Sequence, residues 1–256
     1  MWTMFTHCPL LLVKILIIIA IYAPVHSSVI PASIGSIPNM RLFKHSQRAV
    51  DRAISNRARF PINHDFSGAS CDENESSIPK SFRVLNESAI VGHGLADFQR
   101  ASELMFKFDM VNAMPWANVV LSSETKAADI AVGTVLCTVI KCYKLLWTLS
   151  PCRVCFINQN SGKAAIRGLP IVSKREGVKL VNQIGYSTVE GHLISGEERF
   201  RVSLMSNDDV IFDLYSFTKG AGAVGTLGMP FIRPIQSAFF RDVTLSMKKI
   251  MSVESS

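Results

Sequence analysis

A short stretch near residue 190 carries most of the side chains in this chain that could do chemistry. Tyr186, Thr188, Glu190 and His192 occupy every second position, and Glu197 follows across a turn. In an extended strand this spacing places the first four side chains on one face. A tyrosine, carboxylates and a histidine that converge at a pocket could transfer protons or contact a ligand. The structural alternative is that these polar side chains hold the glycine-containing turn by bonding backbone amides.

Two further residues are candidates for contacts with a ligand. Arg153 lies between neighbours with the pattern of buried positions, which predicts an ion pair with one of the glutamates. His93 lies between two glycines, just before a run with helical spacing. We expect its main role at the entry to that helix.

Two motifs invite a metal or cofactor interpretation, and the spacing disfavours both. Cys152 and Cys155 are three residues apart in a predicted strand, so their thiols point to opposite faces. No second pair with zinc spacing accompanies them. The segment 220–225 reads G-x-G-x-x-G, but a dinucleotide site needs another strand beyond the following helix, and only about thirty residues remain. We expect no metal and no cofactor, and interpret 220–225 as a loop at a pocket entrance.

The elements that must position these residues are most clearly indicated between residues 185 and 217. Phe200, Val202 and Leu204 alternate with polar residues, as in a half-buried strand, and the turn-forming segment 206–209 leads into a second β-rich run. Other segments are predicted as strands at 89–91, 132–143 and 153–157, and as a helix at 98–108. The final helix carries an apolar stripe at steps of three and four: Ile232, Ile235, Phe239, Val243, Met247 and Ile250.

The positive charge of the chain is concentrated in one segment. The formal net charge is +7, and residues 41–59 hold six basic side chains against Asp51 alone. The rest of the chain is nearly neutral, so we expect no nucleic-acid partner. Two interpretations of residues 41–59 remain open: a solvated linker with partial helical character, or a basic amphipathic helix on an anionic membrane surface.

The N-terminus carries an apolar run, Leu10–Tyr22, with the length of a signal-peptide core and short for a membrane span. We therefore divide the chain into a signal peptide or membrane anchor (1–27), a basic linker (28–61) and a folded domain (62–253). The predicted location is the secretory pathway or a membrane, with the cytoplasm as the alternative. Asn74 and Asn86 begin glycosylation tripeptides, which matter only if the domain is luminal.

Several motifs together resemble a known family. They are the segments 91–94 and 146–154, the pattern G-Y-x-T-x-E-G-H…G-E-E-x-F over 185–200, and the ending at 230–250. They resemble uncharacterised protein family 0548 over about residues 62–253. The insertion at 161–179 and the N-terminal apolar segment depart from that pattern.

The family has no established activity, and the resemblance implies a fold of the helix-grip (Bet v 1/START-like) type. The expected fold class is therefore α+β, a curved antiparallel β-sheet wrapped on a long C-terminal helix. Such folds often leave an apolar pocket between sheet and helix. The leading functional hypothesis is binding of a hydrophobic small molecule or lipid there. The alternatives are an enzyme that uses Glu190, His192 and Glu197 at the pocket, and a membrane-tethered interaction module.

Overall fold

The computed structural model describes residues 40–71, 78–159 and 177–253. Their core is one curved, seven-stranded antiparallel sheet in the order β1-β7-β6-β5-β4-β3-β2. The strands are β1 (Arg83–His93), β2 (Ala117–Val120), β3 (Val135–Cys142), β4 (Leu146–Gln159), β5 (Val178–Thr188), β6 (Ile194–Met205) and β7 (Asp209–Gly220). The helices are α1 (Gln47–Arg57), α2 (Gly94–Phe106), α3 (Asp109–Asn112) and α4 (Gly222–Val253).

The predicted α+β architecture is confirmed: an antiparallel meander packs against a long C-terminal helix. The strands β5, β6 and β7 are consecutive neighbours, and the turn before β7 holds Asp208 at a φ of 67°. Aspartate tolerates this left-handed conformation better than most residues. The structure extends two predicted strands, because β1 begins at Arg83 and β4 at Leu146. The apolar run at 10–22, Asn74 and residues 160–176 of the predicted insertion lie outside the described residues.

One face of the sheet, called here the inner face, packs against α2, α3 and α4. Alternate residues of β6 and β7 supply its centre, including Phe200, Val202 and Phe212. From α4 the predicted stripe contributes Val243 and Met247, both fully buried. Burial of this apolar surface is the main favourable contribution to folding.

The opposite face, called here the outer face, is buried although its residues are polar. The sequence pattern predicts a half-buried strand for β6, and here the structure differs. Arg199 and Arg201 are 3% exposed, and their guanidinium groups donate to the two oxygens of Asp213 at 2.9 and 2.7 Å. Buried charges require such partners, since isolated charges in an apolar interior are strongly unfavourable.

The helix α1 covers another part of the outer face. Its Val50 is buried against Trp147 and Leu149 of β4 and against Val139 of β3. Ser46 caps the helix by accepting from the Ala49 amide at 3.4 Å. The predicted helical character of the basic segment is thus confirmed, and the apolar side of this helix packs on the sheet.

The glycine-rich segment 220–225 was predicted to be a loop, and this prediction is wrong. Helix α4 begins at Gly222, so residues 222–225 form its first turn. A Cβ atom on Gly225 would overlap the Leu193 carbonyl oxygen. Glycine therefore allows α4 to approach the β5–β6 connection closely. Among the described residues, no helix combines the length and apolarity needed to span a bilayer.

The role of Gly225 can be tested against a second glycine of the same helix. We expect Gly225→Ala to lower the free energy of unfolding by about 2 kcal/mol, because the new methyl group meets rigid backbone. At Gly228 a Cβ atom would make only an ordinary 3.5 Å contact with Ile232. Gly228→Ala should therefore raise stability by up to about 1 kcal/mol. Equal effects in urea unfolding would contradict the close contact at Gly225.

Candidate functional site

The candidate site lies on the inner face, where a polar pair interrupts the apolar interior. Tyr186 of β5 and Glu198 of β6 are direct cross-strand neighbours. The Tyr186 hydroxyl donates to Glu198 Oε1 at 2.8 Å. The tyrosine ring lies against Phe108 and Phe200, with centroid distances of 6.2 and 5.8 Å. Tyr186 is buried, whereas Glu198 keeps part of its surface accessible.

The surroundings change the protonation behaviour of both groups. Burial raises the pKa of Glu198 to about 7, and the hydrogen bond from Tyr186 only partly offsets this rise. The pKa of Tyr186 lies well above its ordinary value because of burial, and then because of the neighbouring Glu198 charge. Near neutral pH Glu198 therefore occurs in both protonated and ionised forms, and it can donate or accept a hydrogen bond. Such perturbed groups are concentrated at functional sites.

The polar row continues across the sheet beyond Glu198. Ser216 of β7 is the cross-strand neighbour of Glu198 and is 1% exposed. Helix α4 passes close by, since Gln236 Nε2 donates to Thr218 Oγ1 at 3.1 Å. Within the described part of the chain, Ser216 Oγ and Gln236 Oε1 are buried atoms without a hydrogen-bond partner. Buried polar atoms are rarely left unbonded, so these two atoms are available to bond a ligand or a water molecule.

Glu190 and His192 do not lie in this row. The prediction that both share one strand face with Tyr186 is therefore wrong. Strand β5 ends at Thr188, and both residues lie in the turn that follows. Glu190 is exposed, and its carbonyl accepts from Arg57 at 2.8 Å. His192 Nδ1 accepts from the Ile194 amide at 3.1 Å, and burial lowers its pKa to about 4. Neutral His192 therefore holds the turn.

Glu197 lies on the outer face, away from Tyr186. Its carboxylate accepts hydrogen bonds from the Ser70 hydroxyl at 2.5 Å, the Ser187 hydroxyl at 2.8 Å and the Gly68 amide at 2.6 Å. It thus fixes the segment 66–71 to the sheet. Successive strand residues point to opposite faces, so Glu198, rather than Glu197, shares the face of Phe200. That two-residue spacing was the signal that sequence reasoning missed.

The remaining predicted residues also have structural contacts. Arg153 donates to the carbonyls of Ala58 and Phe60 at 2.9 and 2.8 Å, and no ion pair with a glutamate forms within the described residues. Thr188 Oγ1 lies 2.6 Å from Asn63 Oδ1 and holds the end of β5. His93 is the N-cap residue of α2, which confirms its position at the helix entry.

Neither thiol of the C-x-x-C motif contributes to a metal cluster. Cys152 packs in the inner core, and Cys155 Sγ donates to Glu197 Oε2 on the outer face at 3.2 Å, so the predicted divergence of the two thiols is confirmed. The described residues contain no group of three or more His, Cys, Asp or Glu side chains that could hold a metal ion. Asn86 is exposed on β1.

The raised pKa of Glu198 makes a prediction about stability. The folded domain keeps the Glu198 proton up to about pH 7, whereas the unfolded chain releases it near 4.5. This carboxyl therefore makes the domain less stable as pH rises between those values. His192 acts in the opposite direction, since its lowered pKa makes stability rise between about pH 4 and 6.5.

We expect Glu198→Gln to remove the loss of stability that Glu198 causes as pH rises. The gain in stability that His192 gives over rising pH should remain. From about pH 5 to pH 7.5, the free energy of unfolding of this variant should rise relative to the natural protein by about 2 kcal/mol. Urea unfolding at both pH values measures the difference. Glu190→Gln, at an exposed carboxylate, is the control, and an identical pH profile for both variants would argue against a buried Glu198.

Comparisons with known proteins identify relatives of this chain. The chain is 24% identical over 204 residues to the UPF0548 protein At2g17695 of Arabidopsis thaliana, which covers 77% of this chain and 89% of that protein. Among solved structures it is similar to the hypothetical protein jhp0584 from Helicobacter pylori (TM-score 0.45, 9% identity, 68% of this chain and 91% of that one). It is also similar to Ara h 8.0201 (TM-score 0.42, 8% identity, 68% and 99%).

The resemblance to family 0548 is therefore confirmed, and the sheet with its long C-terminal helix is the fold class that the sequence predicts. A family model described as "Domain of unknown function (DUF1990)" matches residues 67–245. This match covers more than half of the chain and includes β1 to β7 and most of α4. The chain belongs to the DUF1990 family.

Proposed function

We propose that this domain binds a largely apolar small molecule or lipid that carries one hydrogen-bonding group. The binding site lies between the inner face and the N-terminal half of α4. The row of Tyr186, Glu198 and Ser216 across an otherwise apolar interior is the observation that carries the proposal. Ligand pockets are commonly apolar with a few polar groups that fix orientation.

The distribution of packing along the sheet supports this location. On one side of the polar row, large side chains such as Phe108, Phe200 and Phe212 fill the interior. On the other side, Thr138 of β3 and Ser150 of β4 are only partly buried, although they are on the inner face. Glu198 lies at the boundary between the two sides. On the second side, a cavity of about 260 Å³ is lined by Thr218 and by residues of the N-terminal half of α4. The proposed ligand therefore lies on the side of the polar row away from the aromatic cluster.

The protonation state of Glu198 indicates what the polar group of the ligand could be. A ligand carbonyl or ether accepts a hydrogen bond from the protonated carboxyl, so its binding should weaken as pH rises through about 7. A ligand hydroxyl donates to the ionised carboxylate, and its binding should strengthen over the same range. The sign of the pH dependence thus distinguishes the two ligand classes.

A pair of matched serine variants tests the site. Ser216 and Ser203 are both buried on neighbouring strands with unbonded Oγ atoms in the described region, but Ser203 lies on the outer face. We expect Ser216→Ala to weaken binding about fivefold, since a net hydrogen bond contributes about 1 kcal/mol. Ser203→Ala should leave binding unchanged.

The probes are dodecanoic acid, dodecanol and dodecanal, with dissociation constants measured by calorimetry on the full chain. Mass spectrometry of an organic extract of the purified protein identifies any co-purified lipid. A ligand that stabilises the fold should also raise the melting temperature. If no lipid co-purifies and no probe binds, or if the two serine variants lose affinity equally, the inner-face site is excluded.

One observation favours an enzyme as the second candidate. A carboxyl with a pKa of about 7 beside a tyrosine hydroxyl meets the requirement for general acid–base catalysis near neutral pH. In this case Glu198 would transfer the proton, and Tyr186 would orient it. If the domain is an enzyme, Glu198→Gln should abolish turnover of the bound ligand, while the dissociation constant of that ligand changes by no more than a few-fold. If the domain only binds the ligand, the natural protein itself shows no turnover.

A further inference from the structure

One end of the molecule exposes apolar and basic side chains together. Three segments meet there: residues 41–44, the β3–β4 hairpin tip at 141–145, and the N-terminal half of α4. We name the exposed residues of these segments the docking edge. Its apolar members and their exposed fractions are Leu42 (61%), Phe43 (82%), Tyr143 (41%), Leu145 (45%), Leu227 (78%) and Phe231 (37%).

Specific contacts hold these segments together. Arg41 and Trp147 exchange two backbone hydrogen bonds at 3.0 and 2.7 Å, which tie residues 41–44 to the start of β4. The ammonium groups of Lys44 and Lys141 each lie 5.6 Å from the centre of the Trp147 ring. On the other side of the hairpin, the Tyr143 hydroxyl donates to the Phe231 carbonyl at 2.8 Å. The docking edge is therefore one connected surface.

Its charge has a single sign. The segments 40–50, 130–159 and 214–241 contain no aspartate or glutamate. They place the basic residues Arg41, Lys44, Lys141 and Lys144 at or beside the apolar members. Cations next to exposed aromatic and aliphatic side chains are typical of surfaces that lie on anionic lipid.

The hairpin tip provides an independent observation. Tyr143 and Lys144 have φ values of 50° and 61°, and the Leu145 amide donates to the Cys142 carbonyl at 3.0 Å. This is a two-residue turn with two left-handed positions, where asparagine and glycine are strongly favoured. An aromatic residue and a lysine are unfavourable there, and backbone strain of this kind is concentrated at functional sites.

We propose that the docking edge binds the surface of an anionic lipid bilayer. The described chain enters this edge at Met40, and the apolar run Leu10–Tyr22 lies upstream of it in the sequence. The sequence predicts a membrane contact through residues 41–59. The apolar side of α1 packs on the sheet, so α1 cannot offer it to a membrane, and the proposed contact within this range is limited to residues 41–44. The proposal does not depend on a ligand in the interior.

The test uses the full chain with vesicles of phosphatidylcholine, with or without phosphatidylserine. Phe43→Trp places a fluorescent reporter at the docking edge, and Leu245→Trp places one at a similarly exposed position (55%) near the C-terminus of α4. In vesicles that contain phosphatidylserine and brominated phosphatidylcholine, we expect several-fold stronger quenching of the Phe43→Trp reporter. High salt should reduce this quenching, since it screens the attraction.

Two further variants in the Phe43→Trp background locate the cause. Lys44→Glu combined with Lys141→Glu should abolish the quenching. Tyr143→Asn combined with Lys144→Gly should raise the melting temperature, because both new residues tolerate the left-handed conformation of the turn. The same variant should reduce quenching. Unfolding cannot explain weaker quenching of a protein that has become more stable. Equal quenching of both reporters would overturn the proposal. Attachment to the vesicle through the apolar run Leu10–Tyr22 alone, without contact by the docking edge, would give that result. Absence of quenching with every vesicle would also overturn the proposal, and the docking edge would then be a candidate surface for a protein partner. If the Phe43→Trp reporter is quenched equally with and without phosphatidylserine, lipid charge plays no role in the contact.

Discussion

The bonds between Asp213 and its two arginines are the constraint on which the rest of the structure depends. Arg199 and Arg201 lie on the central strand β6, and both faces of that strand are buried. Two guanidinium groups without a carboxylate would carry an uncompensated charge into the interior, at a cost of several kcal/mol. Asp213 on β7 offsets part of that cost, so the sheet can be covered on its outer face.

The outer face is therefore polar, and its polar groups are used in hydrogen bonds that hold the fold together. Glu197 bonds the Gly68 amide, both the amide and the hydroxyl of Ser70, and the Ser187 hydroxyl. These bonds fasten the chain before β1 across the sheet. The inner face has the opposite character, since apolar residues dominate it and Glu198 has one hydrogen bond, from Tyr186, among the described contacts. A carboxyl with unused capacity in an apolar environment is the group that remains for function.

The two proposals meet at the N-terminal half of α4. One side of this segment faces Thr218 through Gln236, next to the polar row of the inner face. Another side exposes Leu227 and Phe231 at the docking edge. Pro230 and Pro234 lie in the same segment and lack the amide hydrogens that would bond the preceding turn. This part of the helix is consequently held less by its own hydrogen bonds than the segment after Phe239, which packs in the core.

Local periodicity was enough to predict the meander and the apolar stripe of α4, whereas the family was recognised from its motifs. A repeat of two or of 3.6 residues is a property of neighbouring positions, and it is present in the chain before any folding. The sequence also indicated Tyr186 as a candidate for ligand contact, and the proposed site includes it. We predicted Glu197 instead of Glu198, because we counted from Tyr186 across a turn and not from Phe200, whose two-residue spacing places Glu198 on the inner face.

Long-range contacts decided the remaining features. Polar residues of β6 are buried because a distant segment, 66–71, supplies their partners. The first turn of α4 lies against the Leu193 carbonyl, and this close approach requires glycine at position 225. Helix α1 lies on the sheet because Val50 meets Trp147, about a hundred residues later in the chain. Such pairings depend on which surfaces fold against each other, and only the tertiary structure contains that information.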